Sequence, residues 1–170
     1  MTETDVSKVN WELVPLGDAG IKNPAFGSVQ EEHVAVPMNN GGMYMVYRTT
    51  TGYPAYSISN DGGDSWSAPE RIAYSPGGRL VKNPRANIKV WRAGGDKYLM
   101  WFENNSTTSF NNRNPAWLSG GIEIDGQIYW SQPEIVLYDP TPSTRFSYPD
   151  FLEHDGRNWI TETNKTTART

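Results

Sequence analysis

Apolar residues along this chain fall in short alternating runs, and helical periodicity is nearly absent. The runs HVAVPM, GMYMVYRTT, YPAYSIS, ANIKVWRA, KYLMWFEN, AWLSGGIEI, PEIVLY and RNWITETN are rich in β-branched and aromatic residues. That pattern predicts short strands and an all-β fold. The 16 Gly and 12 Pro residues punctuate the runs. NNGG at 39–42, AGGD at 93–96 and EHDG at 153–156 have hairpin-turn chemistry.

The pattern also repeats. With Trp66 placed over Trp130, DGGDSWSAPERI lies over DGQIYWSQPEIV, matching Asp61 to Asp125, Gly62 to Gly126, Ser67 to Ser131, Pro69 to Pro133 and Glu70 to Glu134. Upstream, HVAVPMNNGGMYMVYR parallels NIKVWRAGGDKYLMWFEN, and a third copy begins as DFLEHDGRNWITETNK. Each unit reads as strand, hairpin, strand, loop, strand, Asp-bearing turn, strand. A repeated four-stranded antiparallel unit predicts a β-propeller, with a sandwich as runner-up. About two and a half blades are expected: an incoming segment at 1–30, a blade at 31–80, a blade at 81–140 and a partial one at 141–170. On this reading the chain is a propeller fragment that stops inside its third blade.

Composition narrows the function. The 170 residues suit about one domain, and 12 % are aromatic, which strands and sugar-binding faces both favour. Net charge is −4 with no basic cluster, which argues against nucleic acid. Absence of cysteine removes disulfides and thiolate chemistry. No apolar run reaches membrane-span length, and the opening MTETDVSKVNWEL is too polar for a signal peptide. No phosphate loop, nucleophile elbow or zinc signature occurs. No cofactor is expected; calcium stays open, though no ligand spacing argues for it.

Residues 59–66 read Ser-Asn-Asp-Gly-Gly-Asp-Ser-Trp. This resembles the Asp-box, Ser-x-Asp-x-Gly-x-Ser/Thr-Trp, the repeat of the sialidase-like propeller superfamily. A degenerate copy at 123–130 keeps Asp125 and Trp130. The resemblance covers about residues 30–170. It implies carbohydrate-active chemistry in relatives that are secreted or periplasmic, with a glycan or polysaccharide as partner. It also implies that Ser59, Asp61, Gly63, Trp66, Asp125 and Trp130 are structural. Asp61 is expected to accept turn N–H groups, the glycines to permit the chain reversal, and Trp66 to bury its ring beneath the turn.

Chemistry is expected at the channel mouth, where first strands begin and second strands end. A glycosidase needs two flanking groups, and acidic sugars need cations. Asp150, Glu32 and Glu162 are candidate acid/base groups and His33 a candidate base. Arg48, Arg85 and Lys165 are candidate anion or hydroxyl contacts, with Tyr47, Glu103 and Asn104 beside them. Each has a plain structural alternative, such as an ion pair for Arg48 or a turn cap for Asp150. Trp117 and Tyr53 are candidates for stacking on a sugar ring. Sialidases carry an Arg-Ile-Pro motif, a three-arginine clamp and a Tyr/Glu pair, and no Arg-Ile-Pro occurs here. An exo-acting glycoside hydrolase is therefore expected, with a uronate polysaccharide lyase or a non-catalytic glycan-binding propeller as alternatives.

Overall fold

The computed structural model describes residues 5–11, 13–15, 20–164 and 167–169. They form three antiparallel sheets. The first orders β1 (Glu31–Pro37), β2 (Met43–Arg48), β3 (Ala55–Ser59) and β4 (Glu70–Arg71) as neighbours. The second orders β5 (Lys89–Arg92), β6 (Lys97–Phe102), β7 (Ala116–Ile124) and β8 (Gln127–Trp130), with β9 (Glu134–Leu137) also paired to β7. The third holds β10 (Phe146–His154), β11 (Arg157–Asn164) and β12 (Thr167–Arg169). The expected all-β architecture and the three hairpin turns are present, and β12 adds a third strand to the last sheet.

The main hydrophobic core lies between sheets. Val36, Tyr44, Val46 and Ile72 from the first pack with Ile88, Val90, Tyr98, Met100, Phe102, Ile128 and Trp130 from the second. A second cluster joins Trp101, Ala116 and Leu118 to Phe146 and Ile160 of the third. The first and second sheets are therefore apolar on both faces, as stacked blades require. This explains why strand interiors such as MYMVYR and KYLMWF are almost continuously buried. The first sheet's other side is covered by the incoming segment, where Ile21 and Phe26 meet Tyr47 and Ala55.

Neighbouring sheets are also joined by polar contacts. Glu123 accepts hydrogen bonds from the Asn39 N–H at 2.8 Å and from the Tyr98 hydroxyl at 2.8 Å, linking the β1–β2 turn to the second sheet. The Gly52 carbonyl oxygen accepts a hydrogen bond from the Asn83 N–H at 3.1 Å. Its φ is 79°, and a Cβ there would lie 2.2 Å from the Ser106 carbonyl oxygen. Only glycine lets these two loops touch.

The two Asp-bearing turns differ more than their sequences suggest. In the first, Asp61 accepts from the Ser59 hydroxyl at 2.8 Å and the Ser65 N–H at 3.0 Å, while Ser59 Oγ accepts from the Gly63 N–H at 2.9 Å. These bonds hold the Asp61 carboxyl at about 2, the Ser65 hydroxyl contributing most. Trp66 is half-buried, less than expected, and its Nε1 donates to the Gly63 carbonyl at 2.9 Å. The second turn keeps only the closing clamp: Ser131 answers Ser119 and Gly120 as Ser67 answers Ser57 and Ile58. Ten residues separate Ser57 from Ser67, and twelve separate Ser119 from Ser131. The longer segment forms a regular hairpin, β7–β8, whose Asp125 and Gly126 have φ of 51° and 72°. Glu123 and Tyr129 stand where the first turn has Ser59 and Ser65, so the small hydroxyls that fold the chain around Asp61 are missing. This is why the second sheet has five strands instead of four.

Candidate functional site

The entries to β1, β5 and β10 come together at one end of the sheets. Glu32 is their meeting point. It lies within 3.0 Å of an Arg48 terminal nitrogen from β2. It accepts from Asn87 Nδ2 at 3.1 Å, at the lead into β5, and from the Tyr148 hydroxyl at 3.1 Å, on β10. Three sheets thus each place a donor on one carboxylate.

Local backbone geometry aims these groups. Pairing of β1 with β2 slips between Glu31 and Val34, so Glu32 and His33 bulge out opposite one residue. The third sheet has the same slip between Ser147 and Asp150, bulging Tyr148 and Pro149. Glu32 and Tyr148 have φ of 61° and 51°, a left-handed conformation uncommon for either residue type. Bulges turn a side chain out of the pleat's alternation, and here both residues turn toward each other.

Around this pair, Arg48 also binds Glu31, and that hydrogen bond holds the Glu31 carboxyl below its usual range. Arg85 is half-buried and its charge reaches Glu31 too. His33 is exposed, with its ring 4.6 Å from that of Tyr47. Tyr47 itself is fully buried, and burial pushes its phenol up to about 12. Asp150 is exposed on β10 and accepts from the Phe151 N–H at 2.9 Å. Asn104 is half-buried after β6, with φ of 50°. Lys165 lies outside the described residues.

Two of the candidate carboxylates lie inside the protein. Glu103 and Glu162 are each 2 % exposed, which keeps both from solvent-borne ligand in this structure. Glu103 receives Trp101 Nε1 at 3.4 Å, and its own N–H is held by Asn83 Oδ1 at 2.9 Å. Burial pushes its carboxyl up to about 8, against the pull of Arg113. It is therefore largely neutral near pH 7.

Two residues of this region escaped the sequence reading. Tyr148 sits in FSYPDF, where strand alternation aims it elsewhere, and only the bulge brings it to Glu32. Arg113, in the polar loop NNRNP, is 8 % exposed. Its terminal nitrogens donate to Ser147 Oγ at 2.6 Å and the Arg85 carbonyl at 3.2 Å, tying two strand entries together. Among the described residues no group of three His, Asp or Glu side chains is arranged to hold a metal ion. No helix among them is long and apolar enough to cross a membrane.

Comparison with known proteins places this architecture. The NanB sialidase of Streptococcus pneumoniae superposes with a TM-score of 0.59 at 20 % identity, over 77 % of this chain and 20 % of that one. The chain has a sialidase-like β-propeller fold, in part. The intramolecular trans-sialidase of Ruminococcus gnavus superposes with a TM-score of 0.55 at 23 % identity, over 77 % of this chain and 27 % of that one. The leech intramolecular trans-sialidase gives 0.57 at 20 % identity, over 75 % and 19 %. The sialidase-like chain thus corresponds to about a fifth to a quarter of the length of these structures. No family model and no curated protein matches it.

Proposed function

We propose that this sialidase-like chain is part of a carbohydrate-active enzyme, an exo-acting glycoside hydrolase, with its reaction centre at Glu32. The observation that carries the reading is the convergence of Arg48, Asn87 and Tyr148 on the Glu32 carboxylate from three sheets. A surface carboxylate needs no such cage. One whose position relative to a phenol matters does.

Tyr148 donates its proton toward Glu32, so electron density on its oxygen rises as that proton is accepted. The phenol oxygen attacks the anomeric carbon while Glu32 takes the proton. Asp150, exposed on the same strand, protonates the departing glycosidic oxygen and then activates water for the second step. Arg48 orients Glu32, and His33, on the neighbouring exposed bulge position, contacts sugar hydroxyls.

The test is a panel of aryl glycosides and oligosaccharides given to the full chain and to Glu32→Gln and Tyr148→Phe variants. Release of reducing sugar, lost in both variants, supports the reading. Products with new ultraviolet absorbance from an unsaturated bond identify a uronate lyase instead. Saturable glycan binding with no product identifies a binding module.

A further inference from the structure

Two buried acceptors stand on facing segments next to Glu32. The β5–β6 ladder pairs Lys89 with Trp101, and two residues further along both segments the same register sets Asn87 opposite Glu103. Opposite residues share one face, with Cβ atoms about 5 Å apart. Trp101 Nε1, which reaches Glu103 Oε1 at 3.4 Å, lies on that face too. Asn83 ties the two segments together: its Oδ1 accepts from the Glu103 N–H at 2.9 Å and its Nδ2 donates to the Ala86 carbonyl at 2.9 Å. Asn87 and Glu103 are each 2 % exposed. Among the described residues, neither Asn87 Oδ1 nor Glu103 Oε2 has a hydrogen-bond partner, and both atoms are enclosed.

Chemistry sets the orientation of the Asn87 amide. The Glu32 carboxylate only accepts, so the amide nitrogen faces it, at 3.1 Å. Oδ1 is left in the interior, where it needs a donor. An ionised Glu103 has none to give, and a protonated one has one. A proton on Oε2 turns two orphaned acceptors into a bonded pair. Burial favours that form, pushing the Glu103 carboxyl up to about 8 against the pull of Arg113, whose charge reaches it from the β6–β7 connection. We propose that Glu103 is a positioning residue for Glu32: as a neutral acid it donates from Oε2 to Asn87 Oδ1 and so locks the amide that donates to the Glu32 carboxylate. The relay depends only on these residues; its bearing on catalysis rests on the function proposed above. Once ionised, Glu103 draws the Asn87 nitrogen to itself, and Oδ1 meets Glu32, acceptor against acceptor. Arg48, shared with Glu31, and the Tyr148 hydroxyl stay on Glu32, so Glu32 loses one donor and keeps its cation.

The experiment takes the full chain through the neutral and alkaline range with two readouts. The first is NMR of the isotope-labelled Asn87 side-chain amide and Glu103 carboxyl. Both signals are expected to shift with one midpoint, about 8, and the amide shift to vanish in Glu103→Gln, whose own amide donates at every pH. The second is kcat on whichever glycoside of the panel is turned over. An alkaline limb with that midpoint is expected, about tenfold deep for one lost hydrogen bond, and absent in Glu103→Gln. An Asn87 amide that ignores the Glu103 titration overturns the relay, and the wild type alone decides this if Glu103→Gln folds poorly. An alkaline limb that persists in the folded variant overturns the positioning role. Coupled signals without turnover of any glycoside support the relay and overturn the proposed function. Turnover with uncoupled signals overturns this inference alone.

Discussion

Tyr148 donates its phenolic hydroxyl to Glu32 across 3.1 Å, although 116 residues separate them in the chain. If this contact carries the chemistry, Tyr148→Phe keeps the ring's packing and removes only the hydroxyl. A fall in kcat of about a hundredfold or more is expected, with KM nearly unchanged. Equal activity in the variant refutes the role of the phenol.

Arg48 stands between Glu31 and Glu32, with its side chain 11 % exposed and theirs 47 % and 22 %. Arg48→Met leaves two acids facing each other with no cation between them. The cost is expected to be about 1–2 kcal/mol, below that of a fully buried pair because both acids keep some water. Denaturant unfolding measures it, and a second change, Glu31→Gln, should recover part of the loss.

Glu103 makes stability fall as pH rises. Its carboxyl ionises near 4.5 when unfolded and near 8 in the fold, so between those values the folded state holds a proton that the unfolded chain has released. Stability should decline over that window, by at most about 1.4 kcal/mol per pH unit, and level off above it. Glu103→Gln mimics the neutral acid and should flatten the slope. A slope that persists in the variant belongs to another group.

Asp61 has the opposite sign. Its carboxyl is held near 2 in the fold against an ordinary value of 3.8. Its contribution is present above the unfolded value and is lost as pH falls through the folded one. Asp61→Asn should therefore narrow the difference between acid and neutral stability, seen as a smaller drop in Tm from pH 5 to pH 2. Activity at neutral pH should survive wherever the variant is folded, because the turn lies away from Glu32.

Gly52 offers a purely steric check. Gly52→Ala drives a methyl against the Ser106 carbonyl and demands a φ of 79° from an alanine. A loss of about 2 kcal/mol is expected, measured by thermal unfolding. Gly41→Ala has a similar φ but open space around it, and should cost less.

The strands and their repeat were legible because alternation and turn residues are local properties. Burial at strand ends was not. Glu103 and Glu162 close runs that read as reaching solvent, yet each is 2 % exposed. Tyr148 was hidden because a bulge cancels the period of two on which strand reading depends. The copy around Asp125 looked like a weakened version of the Asp61 turn, yet identity at Asp, Gly and Trp does not suffice. The compact loop needs the hydroxyls of Ser59 and Ser65, and with Glu123 and Tyr129 in their places the chain extends the hairpin. His33 lies against Tyr47 and the charge of Arg85 reaches Glu31, since position along a first strand survives even where side-chain direction does not.

The slip beside Glu32 recurs beside Tyr148, at the same place in two of the three sheets. A kink that is copied with its repeat acts as a pair of facing hinges for side chains, independent of the ladders that hold the strands. On the proposed function, exchanging the residue at either kink would alter the reaction centre while leaving the strand ladders intact, so chemistry in this architecture can diverge two positions at a time.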